Sequence, residues 1–215
     1  MSEILKVDWF FPEPSPIARA TELLRNGQVV AIPTDTVYGL AANPFDLSAV
    51  ERVFSIKERL KGNPILLLVD SIQMASELSV DLPPQFDLLA KRFWPGPLTM
   101  VVKASARLPS LLTGDTGWIG LRLPAAPVPL ALIRVTRFPL TATSANLSGD
   151  RDSLTAEQVE SALGDRVPLI LDAGTSRTAK PSTVLKLYGE TWEILREGAI
   201  PRTELADFLG AESAR

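Results

Sequence analysis

Lys57 and Arg59 stand one residue apart in "FSIKERLKGNP", where a compact ammonium and a planar fork of guanidinium donors together suit a phosphate clamp. A second run, "TATSANLSGD" (141–150), sets Ser144, Asn146 and Ser148 on alternate positions ahead of Gly149. Short hydroxyls, an amide and free backbone N–H groups can cradle an anion without any lysine. Thr34, Asp35 and Thr36 in "IPTDTVYGL", and Ser182 and Thr183 after "LDAGTSRTAKP", add two hydroxyl-rich segments. Arg122 in "GLRLP" and Arg196 in "ILREG" each put a guanidinium at the end of an apolar run. Every stretch also has a plain structural reading. Thr and Asp side chains satisfy turns, a cationic helix end is favoured by the helix dipole, and arginine is exposed by default. "FWPGPLT" reads as a packed Trp94 followed by a turn forced at Pro95-Gly96-Pro97.

What is missing narrows the chemistry. The 215 residues contain no cysteine and no histidine, which removes thiolate and imidazole nucleophiles, His- or Cys-ligated metals and disulfides. Reaction steps must therefore run on Lys, Arg, Ser, Thr, Asn, carboxylates and backbone. Neither G-x-x-x-x-G-K-[ST] nor G-x-G-x-x-G occurs, so a nucleotide would need another cradle. A net charge of −3 argues against the whole chain acting as a nucleic-acid sponge. "MSEILKVDWFFPEP" lacks a signal-peptide core, and the longest apolar run, "ILLLV", is too short to span a bilayer. A cytoplasmic protein with no membrane partner is expected.

Elements must bring these segments together. Helical spacing is seen from Ser15, which can cap, to Gly27, and again over Leu47–Arg59, where Lys57 follows Val53 by four and falls near the inward edge. Shorter helices are expected over Ser71–Leu78, Gln85–Phe93, "PVPLALIRV" and "TAEQVESALG", and near Leu209. "QVVAIP", "ILLLVD", "PLTMVVK", "WIGLRL", "PLTAT", "VPLILD", "TVLKLY" and "WEILRE" read as strands. Strands alternating with helices give an α/β fold in one domain. The last two strands lie too close for a helical crossover, so the sheet is mixed. Several polar clusters follow strands, where open α/β sheets bind ligands.

In order, "PTDTVYGL", "KER…NP", "FWPGPLT", "R-x-P", "TSANLSG", "PSTV" and "LREGAIP" resemble the YrdC family, over about residues 10 to 205. The resemblance implies a YrdC-like twisted, mostly mixed sheet with flanking helices and an open concave cavity. It implies a catalytic domain over 10–205 and a C-terminal tail over 206–215, the short form without a further domain. The implied activity is threonylcarbamoyl-AMP synthesis from L-threonine, bicarbonate and ATP, releasing pyrophosphate, for tRNA threonylcarbamoyladenosine formation. By matching positions, Lys57 and Arg59 would be catalytic. These two with Asn63, Ser144, Asn146, Ser148 and Arg196 would bind ATP, and Thr36, Arg122 and Ser182 would bind threonine. Mg2+ is implied by the triphosphate, and no protein-bound metal is expected. Implied partners are the downstream tRNA threonylcarbamoyl transfer enzymes, with tRNA contact possible. The chain departs from the family pattern at Leu60, where proline is common, and at Leu68 and Ala126, where histidine is frequent. A paralogue acting on a different amine and an RNA-binding module without turnover are the competing readings.

Overall fold

The alternation in "TVLKLY" suits a strand with one packed face, and the spacing of Val50, Val53 and Phe54 suits a helix. A computed structural model, which describes residues 1–60, 62–178 and 180–210, contains both. In chain order the elements are β1 (Glu3–Lys6), α1 (Pro14–Arg25), β2 (Val30–Ile32), β3 (Gly39–Ala41), α2 (Leu47–Lys57), β4 (Leu66–Leu68), α3 (Ile72–Glu77), α4 (Pro84–Phe93) and β5 (Leu98–Lys103). There follow α5 (Ser110–Thr113), β6 (Trp118–Arg122), α6 (Pro127–Thr136), β7 (Leu140–Ser144), α7 (Ala156–Leu163), β8 (Leu169–Asp172), β9 (Thr183–Tyr188), β10 (Thr191–Arg196) and α8 (Arg202–Leu209).

The described strands form one sheet in the order β1-β8-β2-β3-β7-β4-β6-β5-β9-β10. It mixes parallel pairs, such as β4–β6 and β5–β9, with antiparallel ones, including the expected β9–β10 hairpin. β7 pairs through Leu140–Ala142 with β4 and through Thr143 and Ser144 with β3, so the "SANLSG" loop leaves from mid-sheet. No described helix is long and apolar enough to cross a membrane.

Three local details differ from the sequence reading. Helix α1 begins two residues earlier: Glu13 is its N-cap in place of Ser15, no side chain caps it, and Ser15 lies inside it. Pro14 and Pro16 lack N–H groups, so fewer orphan donors need a cap. Strands β1 and β3 and the one-turn helix α5 were not expected, and at three or four residues each they are too short for periodicity to reveal. Helix α8 inserts Leu205 into the core, and residues 211–215 of the expected tail lie outside the described residues.

The sheet's pleat sorts residues between two faces. Leu67, Leu98, Met100, Val102, Ile119, Leu121, Leu185 and Leu187 pack into the larger core with residues of α2, α3, α4, α7 and α8, such as Phe54 and Phe86. On the other face α1 and α6 cover Val30, Ile32, Leu140, Leu169 and Leu171. Beyond β4 no described helix packs on that face. Gly120, Thr99, Val101, Val184 and Lys186 there line a cavity. A Cβ on Gly198 would press on the backbone of Pro181 and Ser182, at the rim of this cavity. Gly198→Ala is expected to cost about 1–3 kcal/mol. By calorimetry that lowers the melting temperature by about 2–4 °C per kcal/mol.

Candidate active site

Helix α2 starts on Asp46, whose carboxylate accepts the Ser48 and Ala49 N–H groups. It ends where Glu58 takes the left-handed conformation (φ 52°) and Arg59 N–H bonds back to Phe54 O at 3.0 Å. This Schellman-type end turns the chain so that two residues one apart face different ways. Lys57 is 2 % exposed and points inward. Its Nζ donates to Ser144 O (2.6 Å), Asn146 O (2.8 Å) and Asn146 Oδ1 (3.0 Å), three acceptors for three N–H groups. Burial, aided by the nearby Arg59 cation, draws its pKa down to about 8. Arg59 folds over the next turn, donating from Nε to Asn63 O (3.3 Å) and from Nη2 to Pro64 O (2.9 Å).

The "SANLSG" loop is pinned from within. Ser144 Oγ donates to Asn146 Oδ1 (2.6 Å), Asn146 Nδ2 to Asp150 O (2.7 Å), and Ser148 N–H to Lys57 O (3.0 Å). The exit is held by Ser153, whose hydroxyl donates to Ala145 O at 2.7 Å.

Across the cavity, Arg122 ends β6 at 4 % exposure. Its Nε donates to Gly96 O (3.0 Å) and Nη1 to Thr36 Oγ1 (2.9 Å), while Nη2 lies 2.6 Å from Asp35 Oδ1. Burial holds its pKa below the usual arginine range, Asp35 opposing. The β2–β3 turn satisfies both readings of its hydroxyls. Thr34 closes the turn by donating to Val37 O and accepting from Thr36 N, and Asp35 and Thr36 reach Arg122. Arg196 reaches the cavity because β10 bulges: Ile194 opposes Leu185, yet Arg196 opposes Val184. The extra residue, Leu195, shifts the phase and re-aims the guanidinium to the open face. Arg196 then donates to Ser182 O (2.9 Å) and to Ser182 Oγ (3.2 Å), which pairs with Thr99 Oγ1 at 2.8 Å. Burial lowers the Arg196 pKa, with Arg122 acting in the same direction and Asp152 against it.

The resulting cavity encloses about 440 Å³. Of the residues singled out in the sequence, Thr34, Thr36, Arg59, Arg122, Ser144, Ser182 and Arg196 line it. Lys57 and Asn146 sit behind its wall, holding the Ser144 segment, and the exposed Asn63 and Ser148 contribute backbone to the same supports. Sequence reasoning passed over Asp152, Thr99, Lys186 and Trp118, all on the wall. Lys186 Nζ stands 4.2 Å from the Trp118 ring centroid, a cation–π contact across two strands. Thr99 and Lys186 had a signal, each being a polar residue that breaks an otherwise apolar strand. Gly96, read as part of a structural turn, also presents the carbonyl that anchors Arg122. Of the departures, Leu68 lines the cavity, Ala126 is the buried N-cap of α6, and Leu60 is exposed.

Fold and cavity together define an α/β protein whose half-covered sheet carries a cavity lined by Arg59, Arg122, Arg196 and Lys186. The Sua5–YciO–YrdC family model, described as telomere recombination, matches residues 22–198, and the chain belongs to that family. It is 37 % identical over 191 residues to a threonylcarbamoyl-AMP synthase of Pyrococcus abyssi, covering 89 % of this chain and 56 % of that one. The chain thus spans about half the length of that relative. It is 35 % identical to a threonylcarbamoyl-AMP synthase of Vibrio vulnificus, covering 86 % of this chain and 99 % of the relative. The crystal structure of P. abyssi Sua5 complexed with L-threonine superposes with a TM-score of 0.94 at 36 % identity, over 97 % of this chain and 61 % of that one. E. coli YciO gives 0.83 at 29 % identity, over 93 % and 97 %.

The Lys57 contacts generate a test. Lys57→Met keeps roughly the length of the side chain and removes all three hydrogen bonds. Ser144 O keeps the Asn146 N–H and Asn146 Oδ1 keeps the Ser144 hydroxyl, while Asn146 O loses its donor. The substitution is expected to lower stability by about 1–3 kcal/mol in urea unfolding and to speed amide exchange at Ser148.

Proposed function

We propose that this protein is a threonylcarbamoyl-AMP synthase. It joins L-threonine, bicarbonate and ATP in the cytoplasm and passes its product to the enzymes that transfer the threonylcarbamoyl group to tRNA. The observation carrying this reading is the convergence of Arg59, Arg122, Arg196 and Lys186 with Thr36, Ser144 and Ser182 on one cavity. Its size suits small-molecule substrates. The names of the two curated relatives and the threonine-bound crystal structure support the same reading.

The chemistry explains why the site is cationic. Once its amine has bonded to the bicarbonate carbon, with a C–O bond breaking and water leaving, threonine carries a carbamate. One carbamate oxygen bonds to the α-phosphorus as the bond from that phosphorus to pyrophosphate breaks. Carbamate and triphosphate are both anions, and two unit charges 4 Å apart repel by about 4 kcal/mol at an effective dielectric of 20. Arg122, with the Thr36 and Ser182 hydroxyls, takes the threonine carboxylate. Arg59 and Arg196, with Ser144, take the phosphates. Lys57, Asn63, Asn146 and Ser148 act from behind by holding those groups in place. The donors are already oriented, so little reorganisation accompanies the reaction. Juxtaposing the two reactants contributes up to roughly 7–11 kcal/mol in ideal geometries.

Mg2+ would enter with the triphosphate and offset part of its charge. Among the described wall residues Asp152 is the one carboxylate. A carboxylate plus substrate phosphates is a usual Mg2+ environment, and the described residues hold no cluster of three or more potential ligands.

Pyrophosphate release from ATP should require both threonine and bicarbonate. Release with another amino acid would favour the paralogue, and RNA affinity without turnover would favour the binding module. Arg59→Ala should raise the KM for ATP roughly 10- to 100-fold, the value of a charge-assisted contact, while Arg122→Ala should raise the KM for threonine. Indistinguishable defects would overturn this division of the site. A pH effect follows from Lys57, whose pKa lies at about 8. Above it the neutral amine has two donors for three acceptors, and the cavity loses the field of a cation. The KM for ATP should therefore rise as pH passes through about 8, a step absent from Lys57→Met.

A further inference from the structure

Asp35 has no part in the division of the site given above, yet it carries the charge that makes Arg122 tenable. The two side chains are among the most buried ionic groups of the fold, 11 % and 5 % exposed, with Oδ1 and Nη2 2.6 Å apart. Each of these atoms is buried and has no other partner. A guanidinium this deep is tolerated only when it is paired. Asp172, also buried, pairs with Lys6, accepts the Gly174 N–H and is not among the residues lining this cavity, which is what a carboxylate serving structure alone looks like here.

We propose that Asp35 is a positioning residue for the amino-acid substrate, fixing the Arg122 guanidinium for the incoming carboxylate. Three fixed points define the plane of the guanidinium: Gly96 O on Nε, Thr36 Oγ1 on Nη1 and Asp35 on Nη2. Two of these are hydrogen bonds and the third is a close ion-pair contact, so part of the five-donor fork remains for a ligand. Asp35 is itself fixed, because its backbone carbonyl accepts the Thr178 hydroxyl at 2.9 Å. That bond joins the β2–β3 turn to the loop that leads to Ser182. Asp35 therefore connects two of the segments assigned to threonine and orients the side chain of the third. With the arginine charge already compensated, the carboxylate is selected by the direction of the remaining donors more than by net attraction. Loss of Asp35 frees the guanidinium to turn and costs affinity for the amino acid while leaving the phosphate end unchanged.

The inference rests on the proposed threonine site, and the experiment separates the two. Steady-state pyrophosphate release is measured for wild type, Asp35→Asn, Asp35→Glu, Arg122→Ala and the Asp35→Asn/Arg122→Ala double variant, with urea stability for each. Asp35→Asn should raise the KM for threonine roughly tenfold or more, the scale of losing a charge-assisted contact. The KM for ATP should stay within about twofold, and Asp35→Glu should recover part of the loss. The double variant should be no worse than Arg122→Ala, since two residues acting through one contact are not additive. Equal shifts in both KM values, or additive effects, would overturn the inference and leave the threonine site standing. An Arg122→Ala enzyme with unchanged threonine dependence would overturn both. If Asp35→Asn does not fold, Asp35→Glu decides: a selective rise in the threonine KM supports the inference, and a parallel or absent shift overturns it.

Discussion

Four basic side chains in this fold must keep fixed positions close to one another without a ligand, and backbone carbonyls make that possible. Lys57 bonds to Ser144 O and Asn146 O, Arg59 to Asn63 O and Pro64 O, Arg122 to Gly96 O, and Arg196 to Ser182 O. Carbonyl oxygens satisfy the donors without cancelling the charge, as carboxylates would. Only Arg122, the deepest of the arginines, adds an acid. Gathering charge in this way carries a cost that is visible in the downward pKa shifts of all four groups, each led by burial. The carbonyls that hold the cations belong to loops or, for Ser144, to the end of a strand, so each cation also ties down a segment of the wall.

The cavity exists because one face of the sheet is only half covered. On the α1–α6 side, apolar residues of β2, β8 and β7 are buried by helices. From β4 to β10 the same face carries Leu66, Gly120, Thr99, Val101, Val184 and Lys186, a mix that tolerates both water and a ligand. Gly120 is the narrow point: a Cβ there would meet Thr99 Cγ2 at 3.0 Å and Leu66 Cβ at 3.1 Å. Its lack of a side chain keeps the floor low beneath the converging arginines. The cation–π contact of Lys186 on Trp118 and the Trp118–Tyr188 ring pair occupy the far end of this strip.

Membership of the Sua5–YciO–YrdC family follows from the match over residues 22–198. Leu68 and Ala126 stand at the two positions where the resemblance implied histidine, and the chain contains no histidine at all. Leu68 extends the apolar part of the cavity, and Ala126 lies at the buried start of α6, so one departure faces the site and the other concerns packing.

Much of this was legible from local pattern. Helical spacing placed Lys57 on the inward edge of α2, and the short gap between "TVLKLY" and "WEILRE" required an antiparallel pair. The residue types alone restricted the site to cations, hydroxyls and amides, because a chain without histidine or cysteine has few other options. What the sequence did not carry was direction. Lys57 and Arg59 look like one clamp in the sequence, yet a left-handed residue between them sends one behind the wall and the other onto it. Arg196 reaches the cavity only through a bulge, which no alternation rule foresees. Asp35 and Arg122 are 87 residues apart, and their pairing depends on the sheet order that brings the β2–β3 turn to the end of β6. Periodicity is a property of neighbouring residues. The meeting of charges across strands is set by long-range packing, and that is why the tertiary structure alone decided it.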